Sequence, residues 1–485
     1  MKNNVTVVIL AAGLGTRMKS NKAKVLHEAG GDTLLNQIIR AALHVAPAER
    51  IVAVVGHQAD KVRASVTEPG IRFAEQKEQK GTGHAVVCAR TEAENASGQL
   101  LILNGDGPLL RPETLLRLVE NAQTATTASG GSIVTTEVAE PTGYGRIVRD
   151  AQNLVAAIVE QKSATPEQLK IREINPGLYC FDAKLFWKHI GEVTPNNAAK
   201  EYYLTDIIEI LTRHGYPVAP VLVADETELL GINTRVELAF ADEILRARKA
   251  RELMLDGVTI ENPDTVTIDT QVQVAPDTII EANVQLRGHT RIGTGCRIGT
   301  GSVLRSCEIG DDVKILPYVV AEASVIQSKA SVGPFSRLRM NADAGEGSYI
   351  GNFVELKKTK LGKGAKASHL TYLGDATVGA SANIGAGTIT CNYDGQKKHQ
   401  TIIGEGAFVG SNSTLVAPLT IGDGAYTGAG SVITKNVEPD ALAIGRARQE
   451  QKPQWARRRR QAFESLSSGI GALGSIETEP GASAT

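Results

Sequence analysis

Residues Ile268 to Leu304 read IDTQVQVAPDTIIEANVQLRGHTRIGTGCRIGTGSVL, and every sixth residue is aliphatic: Ile268, Val274, Ile280, Leu286, Ile292, Ile298 and Leu304. The beat slips by one residue to Ile309 and Ile315. It resumes as Ile326, Val332, Leu338, Ala344, Ile350 and Leu356, and again as Ile403, Val409, Leu415, Ile421, Thr427 and Ile433. An α-helix repeats about every 3.6 residues and an ordinary strand about every two, so a six-residue beat rich in Gly, Val and Ile marks a hexapeptide β-helix, three short strands to each flat-sided coil. One coil buries one aliphatic per side and cannot close its core alone, so coils must stack. The rival reading, chance spacing in a Val-rich all-β domain, does not account for seven successive matches.

The chain has 485 residues, too many for one compact core and suited to two domains or more. Its formal net charge of −1 argues against a nucleic-acid or membrane-surface partner. The one basic run, Arg457 to Arg460, reads as a solvated helix face, with a phosphate contact as the weaker reading. Five scattered cysteines (Cys88, Cys180, Cys296, Cys307 and Cys391) form no CxxC pair and no metal-ligand spacing, which suits reduced thiols in a cytoplasm. Near the N-terminus VTVVILAA runs straight into GLGTRM, as a buried strand entering a glycine loop does and a signal peptide does not. No stretch is long enough to span a bilayer.

The first part alternates strand and helix: VTVVILAAG, RIVAVVGH and QLLILNGDGPLL as strands, and TLLNQIIRAALHV, GHAVVCARTEA and PETLLRLVENA as helices. Such alternation predicts a mostly parallel sheet with helices on both faces, and ligands beyond the carboxyl ends of its strands. VELAFADEILRARKARELML predicts one long connecting helix. The expected organisation is a domain over 1–235, a linking helix over 236–256, a hexapeptide domain over 257–447 and a C-terminal arm with a tail over 448–485. EQKPQWARRRRQAFESL reads as a final helix, and the small, Gly-rich stretch from Ser467 onward as disordered.

Leu10-Ala11-Ala12-Gly13-Leu14-Gly15-Thr16-Arg17-Met18 follows the first strand. Small residues there let backbone approach a ligand, and Arg17 and Lys24 would add positive charge against a triphosphate. A bare glycine loop is weak evidence, since a structural turn gives the same letters, and this one is neither GxGxxG nor a P-loop. The ordered set is more specific. LAAGLGTRM and Lys24-Val25-Leu26-His27 are followed by Gln76, Gly81-Thr82-Gly83-His84-Ala85, Gly105-Asp106, Gly143-Tyr144-Gly145-Arg146-Ile147, Ile158-Val159-Glu160, Glu173-Ile174-Asn175 and Gly231-Ile232-Asn233.

This string resembles the sugar-phosphate nucleotidylyltransferases. Together with the hexads, from about residue 5 to about residue 455, the chain resembles the bacterial family of bifunctional N-acetylglucosamine-1-phosphate uridylyltransferase/glucosamine-1-phosphate N-acetyltransferases. The resemblance implies an α/β Rossmann-like nucleotidyltransferase domain followed by a left-handed parallel β-helix. It further implies that Leu10, Ala11, Ala12, Gly13, Gln76, Gly81 and Thr82 hold uracil and ribose, that Gly145, Glu160 and Asn175 hold the sugar, and that Arg17 and Lys24 steady the triphosphate of UTP. Asp106 and Asn233 would bind Mg²⁺, a hard ion that favours oxygen ligands and phosphates. Taken singly, Asp106 or Asn233 would read as a helix cap. Three positions depart from the family pattern. Ala23 stands where Pro is usual and predicts a looser approach to Lys24; Asn104 stands where some relatives have Tyr; Pro176 follows Asn175 where Thr is usual and predicts a shifted sugar contact.

The hexads break at two places. One holds Lys357-Lys358-Thr359-Lys360 and Ser368-His369-Leu370-Thr371-Tyr372-Leu373-Gly374-Asp375, and the other Thr390-Cys391-Asn392-Tyr393-Asp394-Gly395. Loops that interrupt a solenoid are natural sites of function. Acetyl transfer to a sugar amine needs a base, and His369 is the obvious one, since an unperturbed histidine side chain has its pKa near working pH. A lone histidine is more often structural, but this one sits in the family's acetyltransferase signature. The resemblance implies His369 as general base, with Arg337, Lys357, Tyr372 and Asn383, joined by Lys398, on glucosamine 1-phosphate. Ala386, Asn392, Tyr393, Ser411, Ala429 and Arg446 would contact acetyl-CoA. It also implies a homotrimer with each acetyl site between neighbouring β-helices. The rival readings are a nucleotidylyltransferase with a merely structural β-helix and, ranked lower, a non-catalytic scaffold.

Overall fold

In a computed structural model of the chain, residues 4–94, 98–124, 129–197 and 199–471 are described. Val5–Ala11 is an interior strand of the first unit, third from one edge of its sheet, paired in parallel with Ile51–Val55 on one side and Gln99–Asn104 on the other, while Arg72–Glu75 forms the parallel edge. Val7 and Ile9 face one apolar cluster and Val8 the other, so the sheet is buried on both faces and its strands read as unbroken apolar runs. Helices Leu34–Ala42 and Thr82–Cys88 lie where the sequence predicts them. Thr33 starts the first by accepting from Asn36 N through its side chain.

The expectation of a mostly parallel sheet holds only for this half. The ten-stranded sheet continues through Tyr179–Asp182, antiparallel to both its neighbours, and then through Gly131–Glu137, Val218–Leu222, Val155–Val159, Gly145–Arg149 and Glu173–Asn175, mostly antiparallel. The reason is the connections. Gly145–Arg149 and Val155–Val159 are joined by a short turn rather than a crossover helix, and a short turn permits only antiparallel pairing.

Helix Arg235–Leu255 starts at a capping box, in which Thr234 accepts from Glu237 N and the Glu237 carboxylate accepts from Thr234 N. Ala241 and Leu245 pack with Met18, Leu34 and Ile232, whereas Ala250 and Leu253 belong to the core of the hexapeptide region. One helix therefore ties both cores together. Arg246 reinforces the junction with ion pairs to Asp242 at 2.8 Å and Asp269 at 2.6 Å.

From Thr259 the chain winds into three parallel sheets of eleven, ten and nine strands, the flat sides of a left-handed β-helix. Every aliphatic on the six-residue beat is buried. Each fully buried Leu or Ile is worth about 1.5–3 kcal/mol, which is what holds a fold of two- and three-residue strands together. On one side Thr267 pairs with Gln285 and Gln285 with Val303, a step of 18 residues, and Val303 with Val320, a step of 17. The first expected break is no break. Leu361, Ala367, Leu373, Val378, Ile384 and Thr390 carry the buried beat through it. Two five-residue steps and small or polar residues at Ala367 and Thr390 had hidden it. The second break is real, since Ile389 pairs with Thr414, a step of 25, so the extra residues loop out between Cys391 and Thr401.

A final helix spans Trp455–Gly471, a few residues past the expected onset of disorder at Ser467; residues 472–485 of the expected tail lie outside the described residues. Arg457 to Arg460 are exposed, as a solvated helix face requires. All five cysteines are free, and no described helix is long and apolar enough to cross a membrane.

Candidate functional site

The parallel strands Val5–Ala11 and Gln99–Asn104 end beside each other, Gly105 N donating to the Leu10 carbonyl at 2.9 Å. The chain after each strand forms a cleft at their carboxyl ends, as expected for an open α/β sheet. One lobe of about 340 Å³ is lined by Leu10, Ala11, Ala12, Gly13, Lys24, Gln76, Gly81, Thr82 and Asp106. An adjoining lobe of about 400 Å³ shares Leu10, Thr82, Asn104 and Asp106 and adds Arg17, Gly145, Glu160, Asn175 and Asn233. All the residues expected to hold nucleotide, sugar and metal thus line one two-lobed cleft.

Two glycines are required by the backbone here. Gly15 has φ 62°, and a Cβ on it would stand 2.6 Å from Lys24 Cβ, so only glycine lets the loop lie against Lys24. Gly81 has φ 106°, and a Cβ would meet the Tyr202 carbonyl at 2.5 Å. The Gly81 carbonyl in turn accepts from Gln76 Nε2 at 3.1 Å, which fixes the Gln76 amide at the floor of the first lobe.

Asp106 and Asn233 come together across the cleft. Ile232 N donates to the Asp106 carbonyl at 2.8 Å, and Asn233 N donates to Glu237 of the capping box at 2.6 Å, so helix Arg235–Leu255 sets the Asn233 position. The Lys24 ammonium bridges the pair. It is hydrogen-bonded to Asp106 Oδ2 and, at 2.9 Å, to Asn233 Oδ1, which also accepts from Arg17 Nη2 at 2.8 Å. A carboxylate and an amide oxygen facing one cationic centre are the hard donor set that Mg²⁺ accepts when phosphates and water complete its shell.

Burial raises the Glu160 carboxyl above the ordinary value, and the Asp206 charge adds to this against a hydrogen bond from Thr205 Oγ1 at 3.4 Å. A carboxyl whose folded pKa is raised is most favourable to the fold below its unfolded pKa and loses stability as pH rises through the carboxylate range. Glu160→Gln is therefore expected to raise the unfolding midpoint at pH 7 and to match the parent below about pH 4, the region of the free carboxyl. Thermal unfolding at the two pH values checks this. An unchanged or lower midpoint at pH 7 would contradict the desolvation argument.

The three departures resolve physically. Ala23 holds φ −55°, a proline-like value, and its N–H donates to Gln58 Oε1 at 3.2 Å, a bond proline cannot make. That bond is worth about 1 kcal/mol, comparable to the stiffening proline would bring, so the approach to Lys24 is not loosened. The other two departures touch each other, Asn104 Nδ2 donating to the Pro176 carbonyl at 3.2 Å. Asn175 stays in the second lobe, its amide held by Tyr179 OH at 2.7 Å and by Gly177 N at 3.0 Å.

On the β-helix, Asn352 pairs with His369, and backbone bonds run on from His369 to Gly387 N, from Ala386 to Asn412 N and from Ser411 to Gly430 N. Asn352, His369, Ala386, Ser411 and Ala429 are therefore stacked in one column along one corner. Arg446 tops it, its Cδ 3.7 Å from where a Cβ on Gly430 would stand. His369 is exposed, and its Nδ1 lies 2.9 Å from Asn352 Oδ1. An amide oxygen only accepts, so Nδ1 carries the proton, and in the neutral ring Nε2 is the acceptor nitrogen.

Asn383 lies on the side that ends at His369, and Tyr372 opens the next side, in register with Glu355 and, one coil further, Arg337. Lys357 lies across that side, buried, with its ammonium 2.7 Å from Asp375 Oδ2, which also accepts from Asn392 Nδ2 at 2.5 Å. The Asp375 hydrogen bond holds the Lys357 ammonium above its ordinary value. Burial opposes ionisation of Asp375, but the Lys357 and Asn392 bonds leave it below the usual carboxylate range. Lys398 is held down by the Lys357 ammonium beside it. Tyr393 is exposed in the looped-out segment, its hydroxyl donating to the Gly395 carbonyl at 2.6 Å.

Three neighbours escaped the sequence reading as functional candidates. Asn352 precedes His369 by one coil, so its position in the repeat was the available signal. Asp375 partners Lys357. Arg339, rather than Arg337, is in register with Lys357, and it also pairs with Glu355 at 2.6 Å.

A two-lobed cleft at the carboxyl end of an α/β sheet, followed by a hexapeptide β-helix with an exposed histidine at one corner, is the arrangement of a two-domain transferase. The family profile described as "MobA-like NTP transferase domain" matches residues 7–166, and "Bacterial transferase hexapeptide (six repeats)" matches 271–306 and 400–435. The chain is 57% identical over 460 residues to a protein of Solibacter usitatus named "Bifunctional protein GlmU", covering 95% of this chain and 98% of that one. Proteins of the same name from Koribacter versatilis and Cyanothece sp. are 48% and 47% identical, covering 94% and 93% of this chain and 97% and 98% of theirs. The chain belongs to the GlmU family. It is a bifunctional enzyme that N-acetylates glucosamine 1-phosphate from acetyl-CoA and transfers UMP from UTP to N-acetylglucosamine 1-phosphate, releasing pyrophosphate.

Proposed function

We propose that the two reactions are divided between residues 1–235 and 257–447, joined by 236–256, with 448–485 as a C-terminal arm. In the first, Leu10 to Gly13, Gln76, Gly81 and Thr82 hold uracil and ribose, and Gly145, Glu160 and Asn175 hold the sugar. Arg17 and Lys24 neutralise the triphosphate while a phosphate oxygen of the sugar attacks the α-phosphorus and pyrophosphate leaves. Positioning and charge neutralisation suffice, and no covalent protein nucleophile is needed. Asp106 and Asn233 hold Mg²⁺, which when bound supplies positive charge at the phosphates. The observation that carries this is the Lys24 ammonium lying between those same two oxygens.

In the second, the neutral sugar amine attacks the thioester carbonyl, His369 Nε2 takes the amine proton and CoA leaves as thiolate. Lys357, Tyr372, Asn383 and Arg337, with Lys398 and Arg339, bind glucosamine 1-phosphate. Ala386, Asn392, Tyr393, Ser411, Ala429 and Arg446 contact acetyl-CoA. The column from His369 to Ala429 is about 14 Å long at the usual strand spacing, which suits an extended acyl-CoA arm. Chelation is the test that separates the sites. EDTA is expected to abolish uridylyl transfer and leave acetyl transfer within about twofold. Equal sensitivity of both reactions would sink the assignment of the metal to Asp106 and Asn233.

The working unit is a homotrimer in the cytoplasm. Five free thiols suit a reducing compartment. The prism carries an exposed ladder of Tyr318, Phe335 and Phe353, with ring centroids 5.1 and 5.6 Å apart, and Leu370 continues it. These residues sit at the turns between strands, and a corner bearing such a ladder suits packing against further copies. Light scattering is expected to give about three times the chain mass; a monomer that still acetylates would contradict the shared site.

A further inference from the structure

Away from both reaction centres, three ligand-bearing side chains meet where two helices end. His189 is the last residue of helix Ala183–His189 and is buried, Glu192 follows in the short turn Ile190–Glu192, and His214 caps helix Asp206–Arg213 at its C-terminus. His189 Nδ1 lies 2.7 Å from Glu192 Oε1, and His214 Nε2 lies 3.1 Å from both Glu192 oxygens. The imidazole centroids are 4.2 Å apart. One ligand atom from each residue lies within 4.8 Å of the others, and among the described residues no other group of three His, Cys, Asp or Glu side chains does this.

We propose that His189, Glu192 and His214 bind a borderline divalent transition-metal ion of the Zn²⁺, Co²⁺ or Ni²⁺ class, at a site separate from the Mg²⁺ position. Two imidazoles and a carboxylate are the donor set such ions select, whereas Mg²⁺ selects oxygen alone. A tetrahedral ion with bonds of about 2.0–2.1 Å holds its ligand atoms about 3.3 Å apart, so the two hydrogen-bonded histidine–glutamate edges need open by only about 0.2–0.6 Å. The Glu192 and His214 side chains are 39% and 41% exposed, which leaves an outward position for water. Both helices present their carbonyl ends to the cluster, and helix C-termini favour positive charge. The two imidazoles already hold the Glu192 carboxyl below its ordinary value.

Two features limit the affinity. His189 Nε2 is buried without a hydrogen-bond partner, and the lack of such an outer partner costs a metal site about 10–100-fold. Arg213 Nη2, 3.6 Å from Glu192 Oε2, competes for the carboxylate. The position gives the ion a structural reach. Thr205 and Asp206, at the other end of the His214 helix, face Glu160 in the sugar lobe. An ion at His214 would staple that helix to the segment carrying His189 and Glu192.

The test titrates the untagged full-length protein with Zn²⁺ by calorimetry and with Co²⁺ by its visible absorption. The same titrations are run on Asp106→Ala, His214→Gln and Glu192→Gln. About one Zn²⁺ per chain, retained by Asp106→Ala and weakened about tenfold or more by His214→Gln and Glu192→Gln, is expected. His214 and Glu192 are partly exposed, and a parental uridylyl-transfer rate certifies folding; if one variant misfolds, the other decides. Unchanged Zn²⁺ affinity in the folded variant, or no parental binding below millimolar Zn²⁺, overturns the proposal.

Discussion

His369→Ala is expected to slow acetyl transfer by about 10²–10⁴-fold, the usual contribution of a positioned general base, while uridylyl transfer keeps its rate. The imidazole is exposed and hydrogen-bonded to Asn352, so its loss removes the proposed base without opening a core cavity. The Nδ1–H bond to Asn352 at 2.9 Å fixes the tautomer that leaves Nε2 free for the amine proton. Release of CoA thiol reads the first activity and release of pyrophosphate the second. A folded His369→Ala protein that acetylates at the parental rate would remove the base assignment.

Asp106→Ala gives the reciprocal result. It takes away the one carboxylate of the Asp106–Asn233 pair and leaves the Lys24 ammonium with only Asn233. Loss of one preorganised charge contact at a reacting phosphate costs on the order of 10²–10³ in rate, and loss of a metal ligand as well makes that a lower bound. Acetyl transfer is expected to stay within about twofold. Loss of both activities in either folded variant would contradict two independent sites.

The residues that could be read from the sequence are those whose partners follow a fixed step. The hexad aliphatics fix one side of each coil after another, and Val5–Ala11 with its glycine loop fixes the cleft end of the first sheet. The helix over Arg235–Leu255 was legible because its apolar stripe is local; its cap, read as Asn233, is Thr234 one residue on. The antiparallel half of the first sheet was not, because Tyr179–Asp182 enters between strands distant in sequence. The columns on the β-helix mix steps of 17, 18 and 25, so His369, Ser411 and Ala429 align only once the loop between Cys391 and Thr401 is discounted. The same mixture hid Asn352, Arg339 and Asp375. The His189, Glu192 and His214 cluster joins two helices through tertiary packing, and no spacing in the chain announces it.

The most direct measurement is mass spectrometry of the products formed by the purified protein from glucosamine 1-phosphate, acetyl-CoA, UTP and Mg²⁺, with each cosubstrate omitted in turn. UDP-N-acetylglucosamine from the full mixture, and accumulation of N-acetylglucosamine 1-phosphate when UTP is left out, are the expected results. Uridylylation of supplied N-acetylglucosamine 1-phosphate with no acetylation at all would contradict them and leave the β-helix as a structural partner.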